Sequence, residues 1–453
     1  MKEIQLDIFS GTIISETKDG HDVVALENEK LRNHLEEKYA NRLEENLKIG
    51  SLVSYQGNKN LPILRLYRYK EAFSYQFVKD FLKEYNITQK DYVFDPFCGM
   101  GTTLFTSCIS SIQSIGTDKL PTGVFISQTL PKLLDIQPNQ LTNCYKKAKE
   151  RMQDAVEANV AEDVRIMKIA FPQENLKELK KWKTVICDLE SPCQEIINLL
   201  YLSIIEPCSF TSKDGQFLRY LPSKEVSNPT ELLDKKIKEV EQDIITLRNF
   251  DWNKNFVLPS VYQGDTRDLS DIPFKKEPTF ILTSPPYANR YDYTRSYSLE
   301  LCFNFIENFE ELKKLRFGIL RSHIEVKSET DDTSVHEALT EVLENLEIKN
   351  QIKKLNNNRI PAMLIAYFID MQKVIKEWYR VCAKNAVVAM VVDNVRFEGE
   401  HVPVDLILSD LAEQEGFEVE KIIVARYKGN SSQQMGKYGR FPVRESITIW
   451  RKK

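Results

Sequence analysis

The sequence predicts an α/β protein built on an open, largely parallel sheet interrupted by helical insertions. Three observations carry that prediction. A strand, a glycine turn, a helix and a second strand follow one another between Tyr92 and Asp118. Apolar strands return after long helical stretches, first in TFILTSPPY (Thr279 to Tyr287) and then in NAVVAMVVDN (Asn385 to Asn394). The chain ends on a helix and two further strands, PVDLILSDLAEQEG, FEVEKIIVARY and ESITIWRK. Runs of apolar residues this short, bounded by turn residues, suit strands covered on both faces.

Taken in order, residues 1–55 are polar and mixed in pattern and form an N-terminal extension. Within it, residues 28–48 (ENEKLRNHLEEKYANRLEENL) have the periodicity of a charged amphipathic helix. A solvated helix packed on the domain edge explains it better than a partner-binding helix. FSYQFVKDFLKEY (Phe73 to Tyr85) is helical in period, and YVFDPF (Tyr92 to Phe97) is a short buried strand. LFTSCISS continues as helix, and SIQSIGTD (Ser111 to Asp118) is the next strand. Residues 56–124 thus form the first part of the α/β domain. Residues 125–255 break its rhythm with helix-rich, charged stretches around a polar turn segment, SFTSKDGQFLRYLPSK, which carries Lys213, Arg219 and Lys224. Residues 256–453 resume the sheet, beginning at VLPSVYQGDTRDL, with a second helical excursion at about 297–358. No internal repeat or low-complexity tract is present.

Bulk properties narrow the function classes. A length of 453 residues suits two or three domains, and 42% hydrophobic with 28% charged residues fits a soluble protein. No apolar run approaches the ~18 residues of a membrane span, and MKEIQLDIFSGTII lacks the layout of a secretory signal, so a cytoplasmic protein is expected. The eight cysteines include no C-x-x-C pair and only five histidines accompany them, which disfavours structural zinc; reduced, buried thiols are expected. A net charge of −4 leaves room for a basic cleft and does not decide for or against nucleic acid.

Two segments carry chemistry. In Asp95-Pro96-Phe97-Cys98-Gly99-Met100-Gly101-Thr102-Thr103, two glycines directly after a strand let the backbone turn sharply and approach a ligand. The helix that follows directs free N–H groups at that ligand. A lone G-x-G is common, and Leu104 stands where a dinucleotide site would have a third glycine, which argues against nicotinamide and flavin cofactors. About 20 residues on, Asp118 ends the next strand, where a carboxylate can accept from ribose hydroxyls; a surface aspartate capping the following turn is the alternative. The second segment is Thr283-Ser284-Pro285-Pro286-Tyr287. Two prolines remove two backbone donors, stiffen the chain and push the residues before them into extended conformations. A rigid acceptor loop beside a flat ring, beyond the carboxyl end of a strand, suits a planar group bearing an amine, although a structural proline turn would read the same way in isolation.

Together these segments resemble the cofactor motif and the catalytic motif of amino-group DNA methyltransferases, the N4-cytosine and N6-adenine enzymes. The resemblance covers roughly 56–120 and 258–453 and neither helical insertion. It implies a Rossmann-like methyltransferase sheet, S-adenosylmethionine as cofactor and double-stranded DNA as partner. It places Phe97, Gly99 and Gly101 around the methionine part of the cofactor with Asp95 and Thr102 beside them, Asp118 on the ribose, and Asp265 of QGDTRDL at the adenine amino group. An N-cap for a short helix is the plain alternative for Asp265. The segment NKNLPILRLYRYKEAF (Asn58 to Phe73) loosely matches a further cofactor motif. Ser284, Pro285, Pro286 and Tyr287 would be catalytic, and a serine before Pro-Pro points to cytosine N4 over adenine N6. No Pro-Cys dipeptide lies in this loop, which argues against carbon-5 cytosine methylation; Pro207-Cys208 falls inside the insertion.

The resemblance further implies base flipping. NRYDYTRSY, with Arg290, Tyr291, Tyr293, Arg295 and Tyr297, would supply phosphate and base contacts, or else its tyrosines pack on neighbouring helices. RYKGNSSQQMGKYGRFPVRES, with Gly429, Gly436 and Gly439, reads either as a basic clamp on the DNA backbone or as an ordinary hairpin. The insertions at 125–255 and 297–358 are the candidates for target recognition. A cognate restriction endonuclease or a defence-system partner fits the same family. A base-amine RNA methyltransferase would use similar motifs, and the intact glycines and proline loop speak against a decayed, non-catalytic relative.

Overall fold

The structure, a computed structural model, describes residues 29–214, 217–247, 252, 255–325, 335–351, 355–429 and 442–453, with the backbone of three strands at 5–7, 12–16 and 22–26 that pair antiparallel. Gly436 and Gly439 of the basic C-terminal segment lie outside the described residues.

The main sheet comprises β1 (Leu43–Glu45), β2 (Tyr92–Asp95), β3 (Gln113–Asp118), β4 (Ser260–Gln263), β5 (Phe280–Thr283), β6 (Val387–Asp393), β7 (Phe417–Lys428) and β8 (Val443–Lys452). Its order is β1-β7-β8-β6-β5-β2-β3-β4, and β8 runs antiparallel to both of its neighbours while the remaining pairs are parallel. This is the α/β, Rossmann-like methyltransferase architecture expected from the sequence. From β2 the chain moves outward through β3 to β4, then crosses back to β5 on the other side of β2. The switch point therefore falls between β2 and β5, whose carboxyl ends carry the glycine turn and the Pro-Pro loop. A crevice opens there because the connections leave in opposite directions.

Helices cover both faces of the sheet. In β5, Phe280 and Leu282 pack with Phe77, Val78 and Phe81 of one helix, whereas Ile281 joins the opposite core. That alternation is the two-residue period of a strand buried on both sides. The helices are α1 (Lys30–Tyr39), α2 (Tyr75–Glu84), α3 (Thr102–Ile109), α4 (Pro121–Thr129), α5 (Gln140–Glu150), α6 (Gln173–Cys187), α7 (Cys193–Ile205), α8 (Pro229–Leu247), α9 (Tyr293–Ser296), α10 (Ser298–Asn304), α11 (Phe309–Gly318), α12 (Glu337–Gln351), α13 (Ile360–Val381) and α14 (Val404–Glu415). Helices α5 to α8 share one core with α10 and part of α3, so the insertion is packed onto the α/β domain. Among the described residues, no helix is long and apolar enough to cross a membrane.

Two elements differ from expectation. The helix expected over 28–48 stops at Tyr39, and Leu43–Glu45 forms the edge strand β1 on Ile422–Val424 of β7. Backbone pairing with an open sheet edge outweighs the weak helical tendency of Leu43–Glu45. The polar turn segment of the insertion is a hairpin, Thr211–Asp214 with Phe217–Tyr220. Lys213 is buried there and ion-paired to buried Glu300, while Lys224 donates to the carbonyls of Glu206 (2.9 Å) and Thr211 (2.6 Å).

Candidate active site

The glycine turn is built by hydrogen bonds within the chain. Gly101 N–H donates to the Cys98 carbonyl at 2.6 Å, Cys98 N–H to the Thr117 carbonyl at 2.9 Å, and Gly99 N–H to Asp118 Oδ2 at 2.8 Å. Gly99 and Gly101 both sit in the left-handed region, with φ of +49° and +80°. Their neighbours separate their roles. A Cβ on Gly99 would lie 3.1 Å from the Tyr69 ring, whereas one on Gly101 would lie 2.5 Å from Ser127 Cβ in α4. Gly99 admits a ring at the cavity wall; Gly101 lets α3 approach α4.

The second loop is tied to the first. Thr283 donates its hydroxyl to Asp95 Oδ1 at 2.7 Å, and Thr103 donates to the Leu282 carbonyl at 3.1 Å. The Thr266 and Thr117 hydroxyls both reach the Pro96 carbonyl, at 2.6 and 3.0 Å. The carboxyl ends of β2, β3 and β5 and the loop after β4 are thus laced together.

Between them lies a cavity of about 360 Å³. Asp95, Phe97, Gly99, Thr102, Asp118 and Asp265 line it, as do Ser284, Pro286 and Tyr287. Gly101 and Pro285 do not line it, and Pro285 is buried behind the loop. Tyr69 to Phe73, from the segment loosely matched in the sequence, form one wall. Thr102 Oγ1 is buried there without a hydrogen-bond partner, as a hydroxyl that meets a ligand would be.

Electrostatics differ between the carboxylates. Burial pushes the Asp95 carboxyl up to about 7, against the opposing pull of the Thr283 hydroxyl and the Phe97 amide. Burial raises Asp118 to about 6, opposed by the amides of Leu120 and Gly99. Asp118 accepts from Leu120 N–H at 2.8 Å in the turn, as the capping alternative has it, and it also lines the cavity. Asp265 is also partly buried, yet Arg267 (2.7 Å) and Lys119 (3.3 Å) hold it below the usual carboxylate range. It accepts from Arg267 N–H at 3.1 Å, within a turn and not at a helix N-terminus.

The tyrosines of NRYDYTRSY make contacts within the chain. Tyr297 stacks on Tyr69 at 4.9 Å and bonds Glu71 at 2.6 Å, and Tyr291 also bonds Glu71. Tyr291 and Tyr293 nevertheless face the cavity. Arg295 pairs with Glu325, and Arg290 lies 5.7 Å from the Phe397 ring centre.

One side of the cavity is formed by Asp393, Arg426, Lys428 and Glu445; the last three lie in the segment read as a basic clamp or a hairpin, but sequence reasoning placed none of the four at the site. Asp393 ends an apolar strand, a signal that was available. Glu445 and Arg426 come together only through the pairing of β7 with β8.

No family model matches the chain. It is 32% identical over 486 residues to the Type II methyltransferase M.BsoBI of Geobacillus stearothermophilus, an alignment that covers 95% of this chain and 94% of that one. It is 34% identical over 441 residues to the Type II methyltransferase M.AvaI of Nostoc sp., covering 91% of this chain and 90% of that one, and equally to M.AvaI of Anabaena variabilis. The chain belongs to the type II DNA methyltransferases. Membership makes site-specific DNA methylation the activity of this methyltransferase and S-adenosylmethionine its methyl donor. Among solved structures, the rRNA methyltransferase aviRa from Streptomyces viridochromogenes is similar at a TM-score of 0.30 and 10% identity, over 84% of this chain and 85% of that one.

Proposed function

We propose that this methyltransferase modifies the N4 amine of cytosine within a short duplex DNA sequence, and that it protects that sequence from a cognate restriction endonuclease. The observation that carries the reading is Ser284, a short hydroxyl before two prolines, in the same cavity as Gly99, Asp118 and Tyr287.

The residues divide the work. Gly99, Phe97 and Thr102 hold the methionine end of the cofactor, Asp95 braces their turn, Asp118 accepts from the ribose, and Asp265 with Arg267 bounds the adenine end. When bound, S-adenosylmethionine supplies a sulfonium-activated methyl, so positioning matters more than a strong base. An exocyclic amine is a weak nucleophile because its lone pair is delocalised into the ring. Ser284 Oγ accepts from the amine N–H groups and localises that pair. Pro285 and Pro286 keep the loop stiff, and Tyr287 stacks on the extruded base. The packed insertion at 125–255 and the excursion at 297–358 supply target recognition.

Expression in a host free of DNA methylation, followed by base-resolved sequencing of its genome, tests this reading. N4-methylcytosine in one short motif is the expected result. N6-methyladenine would overturn the choice of cytosine, and an unmodified genome would overturn the function. Resistance of that DNA to restriction endonucleases that cut the methylated motif tests the protective role.

A further inference from the structure

The side of the cavity behind Tyr287 is a row of charges laid across three strands. Glu445 on β8 stands between Arg426 on β7 and Asp393 on β6, its direct cross-strand partners. Arg426 donates to Glu445 Oε2. Lys428 reaches Glu445 Oε1 at 2.6 Å and Asp393 Oδ2 at 2.8 Å, and its ammonium lies 5.5 Å from the centre of the Tyr287 ring. Glu445 is only 1% exposed. A buried carboxylate with two cationic partners contributes little net stability relative to a well-packed apolar residue, so stability alone gives no account of it here.

Its remaining contact supplies one. The Tyr287 hydroxyl donates to Glu445 Oε1 at 3.1 Å, and Ser284 Oγ lies 3.5 Å from that same hydroxyl oxygen. A tyrosine hydroxyl has a single proton. Once that proton points at Glu445, the phenol oxygen presents only lone pairs to Ser284. The serine proton then turns towards Tyr287, and the serine lone pairs are left to face the cavity. Burial and the Glu445 charge raise the Tyr287 hydroxyl well above its ordinary range, which keeps it protonated as this arrangement needs.

We infer that Glu445 is a positioning residue for methyl transfer: through Tyr287 it orients the Ser284 hydroxyl as an acceptor for the target amine. Without Glu445 the phenol proton can point at Ser284 and compete with the amine for the same lone pair. Arg426 and Lys428 hold Glu445 in place. The inference rests on the proposed role of Ser284 and Tyr287 at the target base.

A double-mutant cycle on the single-turnover rate, with duplex DNA and saturating S-adenosylmethionine, tests it. Glu445→Ala and Tyr287→Phe should each slow transfer about tenfold, the scale of one hydrogen bond. The double variant should be no slower than either single, and calorimetric cofactor affinity should stay within about twofold of the unmodified enzyme. Glu445→Gln, which keeps an acceptor oxygen, should recover most of the rate. If Glu445→Ala does not fold, Glu445→Leu, which keeps the volume and removes the acceptor, replaces it in the cycle, with a loss that vanishes on the Tyr287→Phe background. A Tyr287→Phe rate equal to the unmodified enzyme, or losses that multiply in the double variant, would overturn the inference. Tyr287→Ala separates the two levels. Loss with Ala but not with Phe sinks the hydroxyl chain alone, whereas full activity with Ala sinks the role of Tyr287 at the base.

Discussion

The Thr283 hydroxyl donates to Asp95 Oδ1 at 2.7 Å, and both residues are buried. They lie 188 positions apart in the chain, one before the Pro-Pro loop and the other at the head of the glycine turn. This bond fixes the two loops relative to each other at the switch point, so the cavity between them has a defined width. Thr283→Val keeps the shape and removes the donor. It should cost about 1–3 kcal/mol, because Asp95 loses a partner it cannot replace from water. Thermal melts should show the loss, and turnover should fall with little change in the KM for DNA.

Asp95 also makes stability depend on pH in a direction opposite to that of an ordinary paired carboxylate. Its folded value of about 7 lies above the ordinary 3.8, so the folded state holds the proton more tightly than the unfolded chain. Stability from this group is therefore full below about pH 4 and declines as pH rises to about 7. Asp95→Asn carries no charge yet still accepts from Thr283. Its melting temperature minus that of the unmodified enzyme should grow more positive between pH 4 and pH 7 and level off above. The Asp118 charge is one of the causes that raise Asp95, whereas Asp393, raised to about 7, is common to both proteins and cancels in this difference. A difference that stays flat across that range would contradict the burial of an ionisable carboxyl at this position.

The two glycines of the turn should fail in different ways. Gly101→Ala drives a Cβ against Ser127 in a backbone conformation that alanine avoids, at a cost of about 1–3 kcal/mol. The folded fraction should bind S-adenosylmethionine normally. Gly99→Ala presses on the Tyr69 ring at the cavity wall. It should weaken cofactor binding about tenfold, the scale of a displaced aromatic contact. Calorimetric titration beside thermal melts distinguishes the two.

Lys213, on the insertion hairpin, is a structural cation. It is ion-paired to Glu300 and lies 4.2 Å from the centre of the Tyr297 ring, and Tyr67 bonds the same carboxylate at 2.9 Å. Lys213→Ala leaves Glu300 buried without its counter-charge, and a loss of about 3–5 kcal/mol is expected. A residue that contacted DNA phosphate would instead leave the melting temperature unchanged and reduce the salt dependence of DNA binding.

The strands that build the site were legible because strands covered on both faces are short apolar runs, as in Phe280–Thr283 and Val387–Asp393. The glycine turn and the Pro-Pro loop were legible because each needs residue types that few other structures require at that spacing. That the turn and the loop share one cavity follows from the crossover after β4, which local sequence does not encode. Leu43–Glu45 has no strand pattern and is extended only because β7 offers it an edge. Glu445 and Arg426 sit in the segment that reads as a basic clamp or an ordinary hairpin, and only the register Arg426↔Glu445 and Asp393↔Glu445 brings them together at the cavity. The tyrosines after the loop resemble a nucleic-acid contact surface in sequence. Tyr291 and Tyr297 bond Glu71 and Tyr297 stacks on Tyr69, while Tyr291 and Tyr293 also line the cavity.

The central claim is that donor and acceptor sides of one cavity are supplied by separate loops. The single-turnover methylation rate of Ser284→Ala, measured on duplex DNA at saturating S-adenosylmethionine, tests it most directly. The expected result is a fall of about 100-fold or more, the scale of losing one preorganised polar group at the reacting centre, with cofactor affinity unchanged. Methylation at the rate of the unmodified enzyme would contradict the account.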